Sequence, residues 1–134
     1  MINNLNILLP EVFLSISIFS VLMIGVYFKN SYNLVNKLTL LILISCLFII
    51  INSSNEINLA FSDSFKSNSF TNFIKVLIIL SSIFVLNISQ EFIKENKISK
   101  FEYPIIILIS ILGMFFMVSS NDIILFYLGL ELQS

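Results

Sequence analysis

YPIIILISILGMFFMVSSNDIILFYLGLELQS, residues 103–134, decides the fold. It holds an uncharged apolar run ending at Val118, four polar residues, and a second apolar run beginning at Ile123. Pro104 stands where the first turn of a helix tolerates proline, because that turn has no use for the missing N–H. Ser119, Ser120, Asn121 and Asp122 are residue types that cap a helix N-terminus. The stretch reads as two apolar helices joined by a tight polar hairpin, with no room between them for a domain boundary.

Working back from that corner, the pattern repeats. The most charged stretch, Gln90 to Glu102, is preceded by an apolar run from Phe70 to Ile88 and by a polar loop, Asn52 to Ser69, that carries Glu56, Asp63 and Lys66. Before it, Leu38 to Ile51 reaches spanning length with Leu34 and Val35, and a polar connector from Lys29 to Lys37 separates it from the opening run, Leu8 to Phe28. Runs of this length match a hydrocarbon core about 30 Å thick. The expected fold is all-α and membrane-embedded, in one domain over residues 1–134. Four transmembrane helices are expected at about 8–28, 34–52, 70–88 and 103–118, with the first part of a fifth at 123–134.

Composition agrees: 57% hydrophobic residues and 11% charged, with a mean hydropathy of +1.01, lie outside the range of soluble domains. A net charge of −1 offers no electrostatic footprint for nucleic acid. Cys46 is the single cysteine and there is no histidine, so an internal disulfide is excluded and no metal site is expected. Usage heavy in Ile, Phe, Asn and Lys, with Ala60 the only alanine and no tryptophan, points to an A+T-rich genome, organellar or bacterial. Met1 to Asn6 carries no basic residue, so no cleavable targeting peptide is expected. Lys29, Lys37, Lys94, Lys97 and Lys100 fall in the first and third connectors, against Lys66 in the second and none in the fourth. The positive-inside rule then puts the N-terminus on the outer side.

Three ionisable residues touch the spans. Glu11, one turn into the first, reads as an interfacial carboxylate favoured by the helix N-terminus. Lys75, about 8 Å into the third at 1.5 Å per residue, either snorkels to the headgroups or joins a buried polar network. Glu131 lies nine residues beyond Asp122, roughly 14 Å into a core about 30 Å thick. A short carboxylate cannot snorkel from the midplane, so Glu131 should face protein or water, protonated or paired with a cation from another helix. Such a group can take up and release protons as its partner moves, which makes Glu131 the candidate proton relay and Lys75 a candidate auxiliary. The alternative is a glutamic acid kept protonated for packing alone. The run from Ile123 to Ser134 covers only about 18 Å, so a further chain is expected to complete it, by a gene split or a truncation.

Phe101-Glu102-Tyr103-Pro104, Leu112-Gly113-Met114, Ser119-Ser120-Asn121-Asp122 and Tyr127-Leu128-Gly129-Leu130-Glu131-Leu132-Gln133-Ser134 stand in an order that resembles subunit 2 of respiratory complex I, NADH:ubiquinone oxidoreductase. Leu8-Leu9-Pro10-Glu11 and Phe70-Thr71-Asn72-Phe73-Ile74-Lys75-Val76-Leu77 are similar to its first-span and third-span motifs. The resemblance implies the N-terminal part of an antiporter-like membrane subunit that couples electron transfer to proton pumping. Glu131 takes the place of the family's glutamate on the fifth helix, whose lysine partner stands on a later helix. Asn68 departs from the family's usual Asp, with Asp63 a nearby substitute.

The resemblance further implies other complex I membrane subunits and the lipid bilayer as partners. It implies no cofactor in this chain, with flavin, iron-sulfur clusters and quinone held elsewhere in the complex. The expected location is the mitochondrial inner membrane or, alternatively, a bacterial plasma membrane. A related cation/proton antiporter and a purely structural membrane subunit are the competing readings.

Overall fold

The computed structural model describes residues 7–28, 32–53, 58–60, 63–95 and 101–134. Among these residues five helices follow one another: α1 (Leu9–Tyr27), α2 (Tyr32–Ile51), α3 (Ser69–Glu95), α4 (Glu102–Ser119) and α5 (Ile123–Gln133). The first four are long and apolar enough to cross a membrane, and α5 is shorter. The chain is a multi-pass membrane protein. α2 begins at Tyr32, ahead of the apolar run proper, which supplies the length that run lacked.

Two departures from expectation follow from local chemistry. The spanning part of α3 ends near Gln90, but the helix continues to Glu95. Gln, Glu and Lys are good helix formers and need no apolar surroundings, so helicity outlasts hydrophobicity here. The polar segment before α3 is more than a loop. It holds two strands, β1 (Asn58–Ala60) and β2 (Phe65–Ser67), paired antiparallel with Leu59 opposite Lys66. Asp63, in the connection between them, takes a φ of 68°, a left-handed conformation that aspartate tolerates better than most residues.

α3 starts where it does because of a reciprocal cap. The Thr71 backbone N–H donates to Asn68 Oδ1 at 2.8 Å, and the Asn68 N–H donates to Thr71 Oγ1 at 2.9 Å, which satisfies two donors at the helix start. Asn68, the departure from the family pattern, therefore has a structural use that needs no carboxylate.

Successive helices run in opposite directions. Gly25 near the end of α1 lies against the Phe101 ring at the start of α4. Asn72 near the start of α3 donates to Ser53 Oγ, just past α2, at 3.0 Å. α1 packs on α2 and α4, and α3 packs on the same two, so α1 and α3 face each other across the diagonal of a four-helix bundle. The core between them includes Leu14, Ile18, Leu43, Ile79, Leu108 and Phe115.

α5 is attached differently. It lies along α4, and Gly129 is its one buried residue. A Cβ added at Gly129 would stand 2.9 Å from the Gly113 carbonyl oxygen, and one at Gly113 would stand 2.6 Å from the Gln133 nitrogen. The two backbones touch, as small residues allow where membrane helices cross closely.

Candidate functional site

The up-and-down course of the chain brings the starts of α1, α3 and α5 to the same end of the bundle as the C-terminus of α4. Glu11 stands two residues into α1, about 3 Å along its axis, and Lys75 six residues into α3, about 9 Å. Lys75 Nζ donates to Glu11 Oε1 at 2.5 Å, and each side chain is 1% exposed. Of the two readings of Lys75, the structure therefore selects the buried polar contact over snorkelling. Glu11, at the helix start as expected, is enclosed by protein rather than open to its surroundings, and the opposing helix supplies a cation.

The rest of the enclosure is aromatic and polar. Lys75 Nζ lies 5.5 Å from the centroid of the Phe65 ring and 5.6 Å from that of Phe115, within the range where a ring quadrupole stabilises a cation. Phe65, on β2, is 3% exposed, and Phe115, on α4, is fully buried. The ammonium is thus held by a carboxylate and two ring faces. Glu11 Oε2 has no hydrogen-bond partner among the described residues, and neither has the buried Ser119 Oγ, one turn beyond Phe115 on α4.

The β1–β2 ribbon that carries Phe65 is tied to the α4–α5 corner. The Asn121 N–H donates to the Ser64 carbonyl at 2.9 Å, and Asn121 Nδ2 donates to the Asp63 carbonyl at 2.8 Å. The Ser64 hydroxyl donates to Asp122 Oδ2. Asp122 stands at the N-cap position of α5, where its carbonyl accepts the Phe126 N–H at 3.1 Å, but its side chain does not cap the helix, since its carboxylate is engaged by the ribbon. Asp63, exposed at the turn, does not join Lys75.

Glu131 is elsewhere. It lies eight residues into α5, about 12 Å along the axis, on an exposed face. Ile123 and Ile124 are 87% and 76% exposed, and Phe126, Tyr127, Leu128, Leu130 and Leu132 are exposed as well. The structure does not bring Glu131 and Lys75 together, since Lys75 is paired with Glu11. No group of three metal-binding side chains occurs among the described residues, and Cys46 is a buried free thiol.

What the residues alone did not disclose is the partnership of Glu11 with Lys75 and its cover by Phe65 and Phe115. A signal existed: opposite charges lie within two turns of helix starts that an up-and-down bundle must place at one end.

NADH-quinone oxidoreductase subunit N of Pelagibacter ubique is 47% identical over 133 residues, which is 98% of this chain. Subunit N of Paramagnetospirillum magneticum is 36% identical over 137 aligned positions, and that of Parvibaculum lavamentivorans is 38% identical over 128. Over nearly its whole length the chain matches the N-terminal portion of NADH-quinone oxidoreductase subunit N. It spans 28% of the length of the first two subunit N relatives and 26% of the third. No protein-family model matches it. Subunit N is the complex I subunit 2 equivalent, so the family expected from residues 101–134 is the one found.

Proposed function

We propose that this chain is a membrane-arm component of NADH-quinone oxidoreductase, with Glu131 as a proton relay that couples electron transfer to proton movement. The observation that supports the reading is a carboxyl on the exposed face of the apolar helix α5, about 12 Å along its axis. Left ionised against lipid, it would cost several kcal/mol. That face is therefore covered by protein or water, where a cation that approaches and withdraws can exchange with the carboxyl's proton.

The remaining parts of the reading follow. Other membrane subunits of the complex cover α5, and electron carriers reside in other subunits. The names of the relatives favour this over a free-standing cation/proton antiporter, and their bacterial sources favour a plasma membrane over a mitochondrial one. The lysine-rich first and third connectors put the N-terminus on the outer side.

Replacing Glu131 with Gln keeps size and hydrogen bonding but removes the titration. In the assembled complex in sealed vesicles, Glu131→Gln is expected to reduce proton uptake driven by NADH while the complex assembles in normal amount. Unchanged proton uptake would sink the relay role.

A further inference from the structure

We propose that Glu11 and Lys75 form a second intramembrane proton-exchange site, at the end of the bundle where α1, α3 and α5 begin, with Glu11 Oε2 as the atom that takes and releases the proton. The inference rests on the reading of the chain as a proton-moving one. It concerns residues distinct from Glu131.

An ionised carboxylate offers about four acceptor positions. Among the described residues Glu11 has one of them filled, by Lys75 on Oε1, while Oε2 is buried with no donor. The Lys75 ammonium is held by two ring faces as well as by Oε1, so the position left open for a proton is Oε2. The balance is simple: a proton from water binds Oε2, Glu11 becomes neutral, and the Lys75 ammonium keeps its charge between Phe65 and Phe115. Release of the proton to water restores the ion pair.

The surroundings single out this pair. From α2 the titratable group facing it is the Cys46 thiol, which interacts electrostatically with both Glu11 and Lys75. α3 contributes Lys75 itself. The titratable side chains of α4, Glu102 and Tyr103, stand at its far end, and at the near end it supplies Phe115 and Ser119. The ribbon supplies Phe65 to the pair, while Lys66 is half-buried and Asp63 exposed.

A polar approach exists as well. Thr71 and Asn72, both buried, lie one turn before Lys75 on the same face of α3. Asn72 bonds Ser53 toward the ribbon end, and Ser119 Oγ, also unpartnered, borders the same region. Farther along that α3 face Ile79 and Leu86 are buried, and Ser82 between them spends its hydroxyl on the Ile79 carbonyl at 2.7 Å.

The test uses the assembled complex in membranes. Infrared difference spectra between high and low pH should contain a protonated-carboxyl band that is lost in Glu11→Gln and shifted but retained in Glu11→Asp. Because a single neutral variant leaves an uncompensated lysine, Glu11→Gln/Lys75→Met is measured alongside. It should assemble, lack the band, and show reduced proton uptake per NADH oxidised. A titration spectrum with no band dependent on Glu11 overturns the proposal, as does a double variant that assembles and moves protons like the parent. Neither result bears on Glu131, whose role fails only if Glu131→Gln leaves proton uptake unchanged.

Discussion

Glu11 and Glu131 are both glutamates on membrane helices, and the chain treats them in opposite ways. Glu11 is closed off between α1 and α3, answered by Lys75 and covered by Phe65 and Phe115. Glu131 is displayed on α5, a helix that gives only Gly129 to the interior. The bundle of α1 to α4 settles its own electrostatics at the ribbon end, whereas α5 carries an acid outward. Depth in the membrane therefore does not by itself identify the group exchanging with a partner; the neighbours do.

The comparison can be broken most directly at Lys75. Lys75→Met removes the counter-ion from a fully enclosed carboxylate and is expected to destabilise the bundle by about 3–5 kcal/mol, read by unfolding of the purified protein in detergent. Adding Glu11→Gln should recover most of that loss, since a neutral pair of similar volume carries no uncompensated charge. A double variant as unstable as the single one would mean that packing, not charge, makes this site matter.

Gly129→Val attacks the other region. Its side chain would meet Met117 and the Gly113 carbonyl at under 3 Å, which forces α5 away from α4. Overpacking of this kind costs about 1–3 kcal/mol, and an engineered cysteine pair spanning the two helices should lose its cross-linking. Phe65→Leu is subtler. It keeps an apolar cover over Lys75 and removes one ring face, so about 0.5–2 kcal/mol should be lost. An unaltered melting temperature would show that Phe65 acts as a lid alone.

The smallest expected change is the one that sharpens the contrast. In the isolated chain in detergent, Glu131→Gln should not destabilise the bundle, since Glu131 is exposed and Gly129 is the one residue α5 buries. Equal removal of one carboxylate charge at positions 11 and 131 would then differ severalfold in effect.

Much of this architecture was readable in advance. The four spans and the α4–α5 corner follow from lengths of apolar chain set against bilayer thickness, a constraint that acts on composition and needs no partner information. Which face of each helix points inward was not readable. Ile16 and Phe19 face outward while Leu14 and Ile18 face inward, and nothing in their chemistry separates them, because lipid is as apolar as the core. Only small and polar residues mark the interior: Ser17, Asn36, Thr39, Gly113, Gly129.

The site was half legible for the same reason. Glu11 and Lys75 are conspicuous as charges in apolar runs, but their pairing spans 64 positions and depends on helix rotation. The ribbon is not legible in the sequence because three-residue strands leave too short a pattern to recognise, and its seat on Asn121 and Asp122 spans 58 positions.

That seat has a consequence for how the protein is made. A lysine in a helix entering the bilayer is penalised, by up to about 2.5–3.5 kcal/mol at the helix centre, and Lys75 arrives on α3 when α1 has already brought Glu11 into place. The third helix thus meets its counter-charge on entry. Phe115, Asn121 and Asp122 emerge later, so the ribbon can lock down only after α4 has turned into α5. Assembly at this end is ordered: the charges meet first, and their cover closes last.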